Sequence, residues 1–227
     1  MPGSAPHRFC YTVGVNKVLR RHEVSLRQLF EVAGASEAGV DASDALMSLA
    51  EWKLAVRGLA LIDDDLSDRD ATLCFVWSRM AVCDGRTAKG HLKESHLPFE
   101  GFLEGLCRLA ALKALPTDAE IANYTAADAE AAVDVVDAES YLQQLRVDGT
   151  YRDFLLERAN KWGARPRQAF ERCVAHLVDI VVARVRRAGA PASGTSSSST
   201  AAALTRRQVE RWAKSEIAAF AKFAKKR

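Results

Sequence analysis

The stretch Leu97-Pro98-Phe99-Glu100-Gly101-Phe102-Leu103 decides the fold. Pro98 suits the first turn of a helix, where its missing N–H would have no partner anyway. Phe99, Phe102, Leu103, Leu106, Leu109 and Ala110 recur mainly at three- and four-residue spacings. That predicts one amphipathic helix over 98–115, closed by Pro116. Upstream, Met47-Ser48-Leu49-Ala50-Glu51-Trp52 repeats the frame and opens a helix over 45–61, with Leu46, Leu49, Trp52, Leu54, Val56 and Leu59 as its apolar set. A further helix precedes each of these. The first covers 16–33, carries Val18, Leu19, Leu26, Leu29 and Phe30, and stops at Gly34 before a Gly/Ala/Ser/Asp-rich loop that reaches Asp44. The other covers 68–82, with Leu73, Val76, Trp77 and Met80; Ser67 is its N-cap, and Asp68 and Asp70 sit near the positive helix end. Asp84-Gly85 breaks it, and a polar stretch leads on to His96. The order is helix, loop, helix, short link, helix, loop, helix, and the expected class is all-α.

That order fits a pair of EF-hand-like units. An EF-hand loop carries an apolar residue at position 8 and a bidentate Glu at position 12, with side-chain oxygens at 1, 3 and 5 and a glycine at 6. Met47 and Leu97 fall at position 8, and Glu51 and Gly101 at position 12. Counting back from Glu51 gives Val40, Ala42, Asp44 and Ala45; counting back from Gly101 gives Gly90, Leu92, Glu94 and Ser95. Only Asp44 and Glu51 suit the first loop, and the second lacks its bidentate ligand, so neither loop is expected to bind calcium well. A non-standard loop that relaxes around the ion stays open as an alternative. Asp63-Asp64-Asp65-Leu66-Ser67 has DxDxS spacing, but a loop starting there would run into a helix and place Cys74 at position 12. A helix stop followed by an N-cap is the simpler reading.

Beyond Pro116 the pattern thins. Between Thr117 and Glu139 there are seven acidic residues and no basic ones, amid Ala and Val, which reads as a short helix plus connector. Two more helices are expected over 141–160 and 167–187. The segment 189–203, with Pro-Ala-Ser-Gly-Thr and four serines in a row, reads as a flexible linker. A last helix follows from Thr205 to about Phe223. The expected organisation is therefore an N-terminal arm (1–15), the paired units (16–116), a helical extension (117–188), the linker (189–203) and a separate basic amphipathic helix (204–227). From Leu204 onward, eight basic residues face two acidic ones, a local charge of +6 in a chain of net +3, so the rest carries −3.

That last helix carries an apolar stripe of Val209, Trp212, Ile217, Phe220 and Phe223. Alone past a linker, such a stripe has no core of its own to enter. It either folds back on the body or meets a partner such as a protein groove, a membrane surface or a calmodulin-like protein; we expect a partner. A basic helix also suits the acidic surface of microtubules, while no nucleic-acid-binding motif accompanies it, so no specific nucleic-acid partner is expected.

Composition narrows the function classes. About half the residues, 48%, are apolar, enough for a core without disulfides or metals. Met1-Pro-Gly-Ser-Ala-Pro shows no signal-peptide h-region, and no apolar run approaches the ~20 residues of a membrane span. The five cysteines, Cys10, Cys74, Cys83, Cys107 and Cys173, form no CxxC pair and read as reduced thiols of a cytoplasmic protein. His91, His96, Cys83 and Cys107 match no common zinc spacing, and no phosphate-binding loop, dinucleotide fingerprint or nucleophile elbow occurs. Glu100, Glu104 and Arg108 share one helix face and read as a solvated ion pair. No catalytic residue, metal ligand or cofactor site is expected.

The stretch Leu66-Ser67-Asp68-Arg69, then Phe75-Val76-Trp77-Ser78-Arg79-Met80, then His96 through Ala110, then Lys113-Ala114-Leu115-Pro116, resembles the degenerate EF-hand-like helical domains of ciliary and flagellar axoneme proteins. The phrase LPFEGFLEGLCRLA is its most specific part, and the resemblance spans about residues 17 to 116. It implies a non-enzymatic structural or adaptor subunit of the axoneme, located on the cytoskeleton of the cilium or flagellum, with other axonemal proteins as partners. A helix or peptide would lie in the cleft, and the basic tail would reach tubulin. The expected partner-binding residues are Trp52, Trp77, Met80, Phe102, Leu106, Trp212, Ile217 and Phe220, with Leu29 and Phe30 beside them, although core packing explains the same residues. Two linked contacts would raise avidity. The alternatives are a calcium-responsive regulator of axonemal motility and an enzyme of unrecognised type.

Overall fold

The computed structural model describes residues 10–34, 45–127, 137–190 and 202–217. Among them the chain is all-α, with eleven α-helices: α1 (Val13–Arg21), α2 (Glu23–Ala33), α3 (Leu49–Gly58), α4 (Asp68–Trp77), α5 (Ala88–Ser95), α6 (Phe99–Leu112), α7 (Asp118–Ala127), α8 (Ala138–Val147), α9 (Tyr151–Arg158), α10 (Phe170–Ala188) and α11 (Arg206–Trp212), the last extended by a π-helical turn, Ala213–Ile217.

Most starts follow from side chains that satisfy the free N–H groups of the first turn. Ser48 and Glu51 form a reciprocal capping box on α3, Ser67 and Asp70 one on α4, Asp137 and Ser140 one on α8, and Thr205 and Gln208 one on α11. Thr12 caps α1, which begins inside the expected N-terminal arm; Val15 is fully buried. The helix expected over 16–33 is two helices. His22 leaves helical geometry (φ −104°, ψ 8°), and its N–H is shared between the carbonyls of Val18 and Leu19. The helix expected over 141–160 likewise divides into α8 and α9, at Asp148-Gly149. Helix α5 was not expected. Its capping Thr87 accepts from the Gly90 N–H at 2.9 Å.

The long helix α10 is the axis of the molecule and packs against α1, α6, α8 and α11. Helix α6 in turn packs against α2 and α4. The helix pairs α2–α3 and α4–α6 meet just ahead of α3 and α6. There Met47 and Leu97 exchange both backbone hydrogen bonds, at 2.8 and 2.9 Å, as an isolated antiparallel bridge. One apolar core runs unbroken from Val15 to Trp212.

Two buried ion pairs lock this arrangement. The Lys113 ammonium, just past α6, donates to Asp65 Oδ1 at 2.6 Å, and the Ala114 N–H donates to Asp65 Oδ2 at 2.6 Å. Burial pushes the Lys113 pKa down, and the Asp65 charge opposes that. Arg184 of α10 donates from Nε to Glu139 at 2.9 Å and from Nη1 to the Leu59 and Ala60 carbonyls at 2.9 and 2.7 Å. It thus holds the end of α3, where Ala60 takes a left-handed φ of 51°.

Candidate functional site

The residues expected to line an open cleft are interior. Leu29 and Phe30 come from α2, Trp52 from α3, Phe102 and Leu106 from α6, and all five are buried. Phe30 meets the rings of Phe99 and Phe102 at 5.6 and 5.5 Å, and Trp52 meets Phe102 edge-on at 6.0 Å. The Trp52 indole N–H donates to the Ala71 carbonyl at 2.8 Å, which joins α3 to α4. Gly105 leaves room for this ring: a Cβ there would lie 2.8 Å from Trp52 Cη2. These side chains form the core between the two helix pairs and pack the interior instead of lining an open cleft.

The last helix, expected to stand free, packs on the body instead. Helix α11 lies against α2 and α10, and its π turn lies against α3. Val209 and Trp212 are fully buried, and the Trp212 indole N–H donates to the Gly58 carbonyl at 3.1 Å. The Leu204 N–H donates to Ser25 Oγ at 2.9 Å, and Arg186 donates to the Ala202 carbonyl at 2.6 Å. A Cβ on Gly189 would strike the Gln208 carbonyl, so the close approach of α10 and α11 needs glycine there. Val209 and Trp212 of the stripe thus find their cover on the same chain, against α2, α3 and α10. The opposite face is basic: Arg207, Arg211 and Lys214 are exposed. The Ile217 side chain and Phe220 lie outside the described residues, as does most of the expected linker.

Trp77 and Met80 are the two expected site residues at the surface, each 44% exposed. Trp77 meets Trp162 edge-on at 4.6 Å, and the Trp162 indole N–H donates to Asp70 Oδ1 at 2.9 Å. Sequence spacing gives no hint of this pair, since the two residues lie on segments brought together only by the fold. Leu92 of α5 is 42% exposed.

Several of the carboxylates that drew attention in the sequence have a partner in the structure. Asp63 accepts from the Tyr151 hydroxyl at 2.7 Å, and Asp64 from Arg152 at 3.1 Å. Asp68 takes two hydrogen bonds from Arg57, at 3.0 and 2.6 Å, which hold its carboxyl below the ordinary value. Ser48 donates to Glu51 from both N–H and Oγ, at 2.8 and 2.9 Å. In the second unit, positions counted as loop, Gly90 to Ser95, are helix α5, so that frame does not describe a calcium loop. In the first, Val40, Ala42 and Asp44 lie outside the described residues. Among the described residues no three His, Cys, Asp or Glu side chains converge as a metal site would.

Between α1 and α6 runs a groove of about 360 Å³, bordered by Cys10, Tyr11, Leu19, Leu103, Glu104 and Cys107. The Tyr11 hydroxyl donates to Glu104 Oε2 at 2.6 Å, and burial together with that carboxylate pushes its pKa up to about 12. Arg108, expected at the surface, is buried; it pairs with Glu104 and donates from Nε to Ser78 Oγ at 3.1 Å. Cys10, Cys74, Cys107 and Cys173 are buried free thiols and Cys83 is exposed. Cys10 and Cys107 both border this groove. No signal in the sequence pairs these two residues.

Compared with known proteins, the chain matches no family model, no curated sequence and no solved structure.

Proposed function

We propose that this chain is a non-enzymatic structural or adaptor subunit of the ciliary or flagellar axoneme, built on a degenerate EF-hand-like pair that holds its form without calcium. The observation that carries the reading is the reciprocal backbone pairing of Met47 and Leu97. These are the two residues that the spacing puts at position 8, and EF-hand units pair through their loops. The engaged carboxylates support the calcium-free part. Asp65 and Asp68 hold cations of the chain itself, and the second loop is occupied by α5. The axonemal part rests on the resemblance carried by residues 66–116.

Docking would then use surfaces other than the filled cleft. Because α11 spends its apolar side on the body, what it offers outward is charge: Arg207, Arg211 and Lys214. Such a face suits an acidic surface such as that of tubulin, and exposed attraction of this kind fades with salt over a Debye length of about 8 Å at physiological ionic strength. Co-sedimentation with salt-washed axonemes and with bare microtubules tests the reading. Wild type is expected to pellet with axonemes, and the triple variant Arg207→Glu, Arg211→Glu, Lys214→Glu to bind at least tenfold more weakly to microtubules at low salt. No pelleting with axonemes at any salt would overturn the axonemal reading. Equal binding of variant and wild type to microtubules would overturn the role of the basic face.

A further inference from the structure

Where α6 ends, α9 ends and α10 begins, the fold leaves a cavity of about 20 Å³. Lys113, Arg158 and Arg167 border it together with Thr117, Asn160 and Gln168, and among the described residues no carboxylate lines it. Three cations thus share a space with room for one water-sized species and none for an organic molecule. We propose that this cavity is a site for one small monovalent inorganic anion, of the chloride class, held between Lys113, Arg158 and Arg167. The inference is independent of the axonemal reading.

The polar lining is rich in donors and poor in free acceptors. Lysine and arginine side chains only donate. Gln168 Oε1 already accepts from the Asp118 N–H at 3.2 Å, and Gln168 Nε2 donates to the Pro116 carbonyl at 3.2 Å. The Thr117 hydroxyl accepts from the Glu120 N–H at 3.2 Å and donates to Glu120 Oε2 at 2.9 Å. A water here would have to donate as well as accept, whereas an anion only accepts. The cations, for their part, have donors to spare. Lys113, buried, spends an N–H on Asp65 Oδ1 at 2.6 Å, and its ammonium carries more than one. Arg158 pairs with Glu120 through Nη2, yet its Nε is buried without a hydrogen-bond partner, and Glu157 Oε1 at 3.8 Å is beyond reach. A buried donor left without an acceptor is costly, and an acceptor in the cavity removes that cost. Arg167 donates from Nη2 to the Glu157 carbonyl at 3.2 Å, which is a neutral acceptor. Asp65 answers the charge of Lys113 and Glu120 that of Arg158. Among the described residues no carboxylate answers Arg167, so one negative charge is what the cavity lacks.

The test uses the full chain, with sodium chloride and sodium bromide as probes. The width of the chloride NMR line is followed across a titration for wild type, Arg167→Gln and Arg165→Gln. Arg167 and Arg165 are both exposed, so neither change disturbs the core, and Arg165 does not border the cavity. Wild type is expected to broaden the line saturably in the millimolar range, Arg165→Gln to match it, and Arg167→Gln to broaden it about fivefold less. Crystals soaked in bromide are expected to show an anomalous peak bordered by Lys113, Arg158 and Arg167. Equal broadening by wild type and Arg167→Gln would overturn the proposal, as would a water at that place with no anomalous peak. A bromide peak without broadening in solution marks binding at crystal concentration only and overturns it too.

Discussion

Gly105 has no side chain because Trp52 occupies that space. The Trp52 ring stands 2.8 Å from where a Cβ would be, and its N–H is already committed to Ala71. Gly105→Ala therefore overpacks the core, at a cost of about 1–3 kcal/mol in a urea melt, although alanine is the better helix former. Lys113 makes the complementary case. Its ammonium is buried on Asp65, and Lys113→Met leaves that carboxylate unpaired inside the fold. The expected loss is about 3–5 kcal/mol, read from the same melt. At this scale the sequence reports residue type but not setting. Arg108 reads as a solvated partner of Glu104 at i, i+4, yet it is buried because Ser78 arrives from α4 to receive it. Asp65 reads as a helix stop, yet α3 ends earlier, at Gly58, and the carboxylate instead receives Lys113, which only the fold brings to it.

At the scale of elements, the helices were legible where caps and periodicity agreed. Ser67 with Asp70 marked the start of α4, and Pro98 with the Phe99, Phe102, Leu106 and Leu109 stripe marked α6. The break at His22 was not legible, because neither glycine nor proline announces it; its cause is tertiary, the packing of α1 on α10 and of α2 on α6. Helix α5 was hidden by composition, since its residues Ala88 to Ser95 are mostly polar and bury only Gly90. Of the apolar stripe expected on the last helix, Val209 and Trp212 are covered by the body of the same chain rather than by a partner. Periodicity says that a face must be buried and cannot say against what. Trp212→Ala is expected to cost about 3–5 kcal/mol and to expose the segment around 202–217 to limited proteolysis. Cleavage unchanged from wild type would show that α11 does not depend on this anchor.

Across the whole molecule, acidity is expected to act through His176 on α10 and His22 at the α1–α2 break. His176 is buried, with Nε2 2.9 Å from Asp118 Oδ1 and with Arg172 and Asp179 nearby; burial holds its pKa below the ordinary 6.5. His22, facing Asp179 and Arg21 at the α1–α2 break, is lowered for the same reason. Both gain a proton more readily when the chain is unfolded. Their contribution is thus complete above about pH 6.5 and is lost as the pH falls through their lower folded values. Asp179, pushed up by burial, works in the opposite sense and returns part of the loss at still lower pH. Melting temperature is expected to fall between pH 7 and pH 5, and His176→Gln to flatten that fall; an unchanged profile in the variant would assign the effect elsewhere.

At the same scale the helix pairs α2–α3 and α4–α6 are joined through Met47 and Leu97, and the proposed function requires that they stand without a bound ion. Isothermal titration of calcium into the full chain, with a parallel melt, tests it most directly. The account predicts no saturable heat and no rise in melting temperature. Saturable binding tighter than about 10⁻⁵ M, the range of calcium sensors, accompanied by a rise in melting temperature, would contradict it.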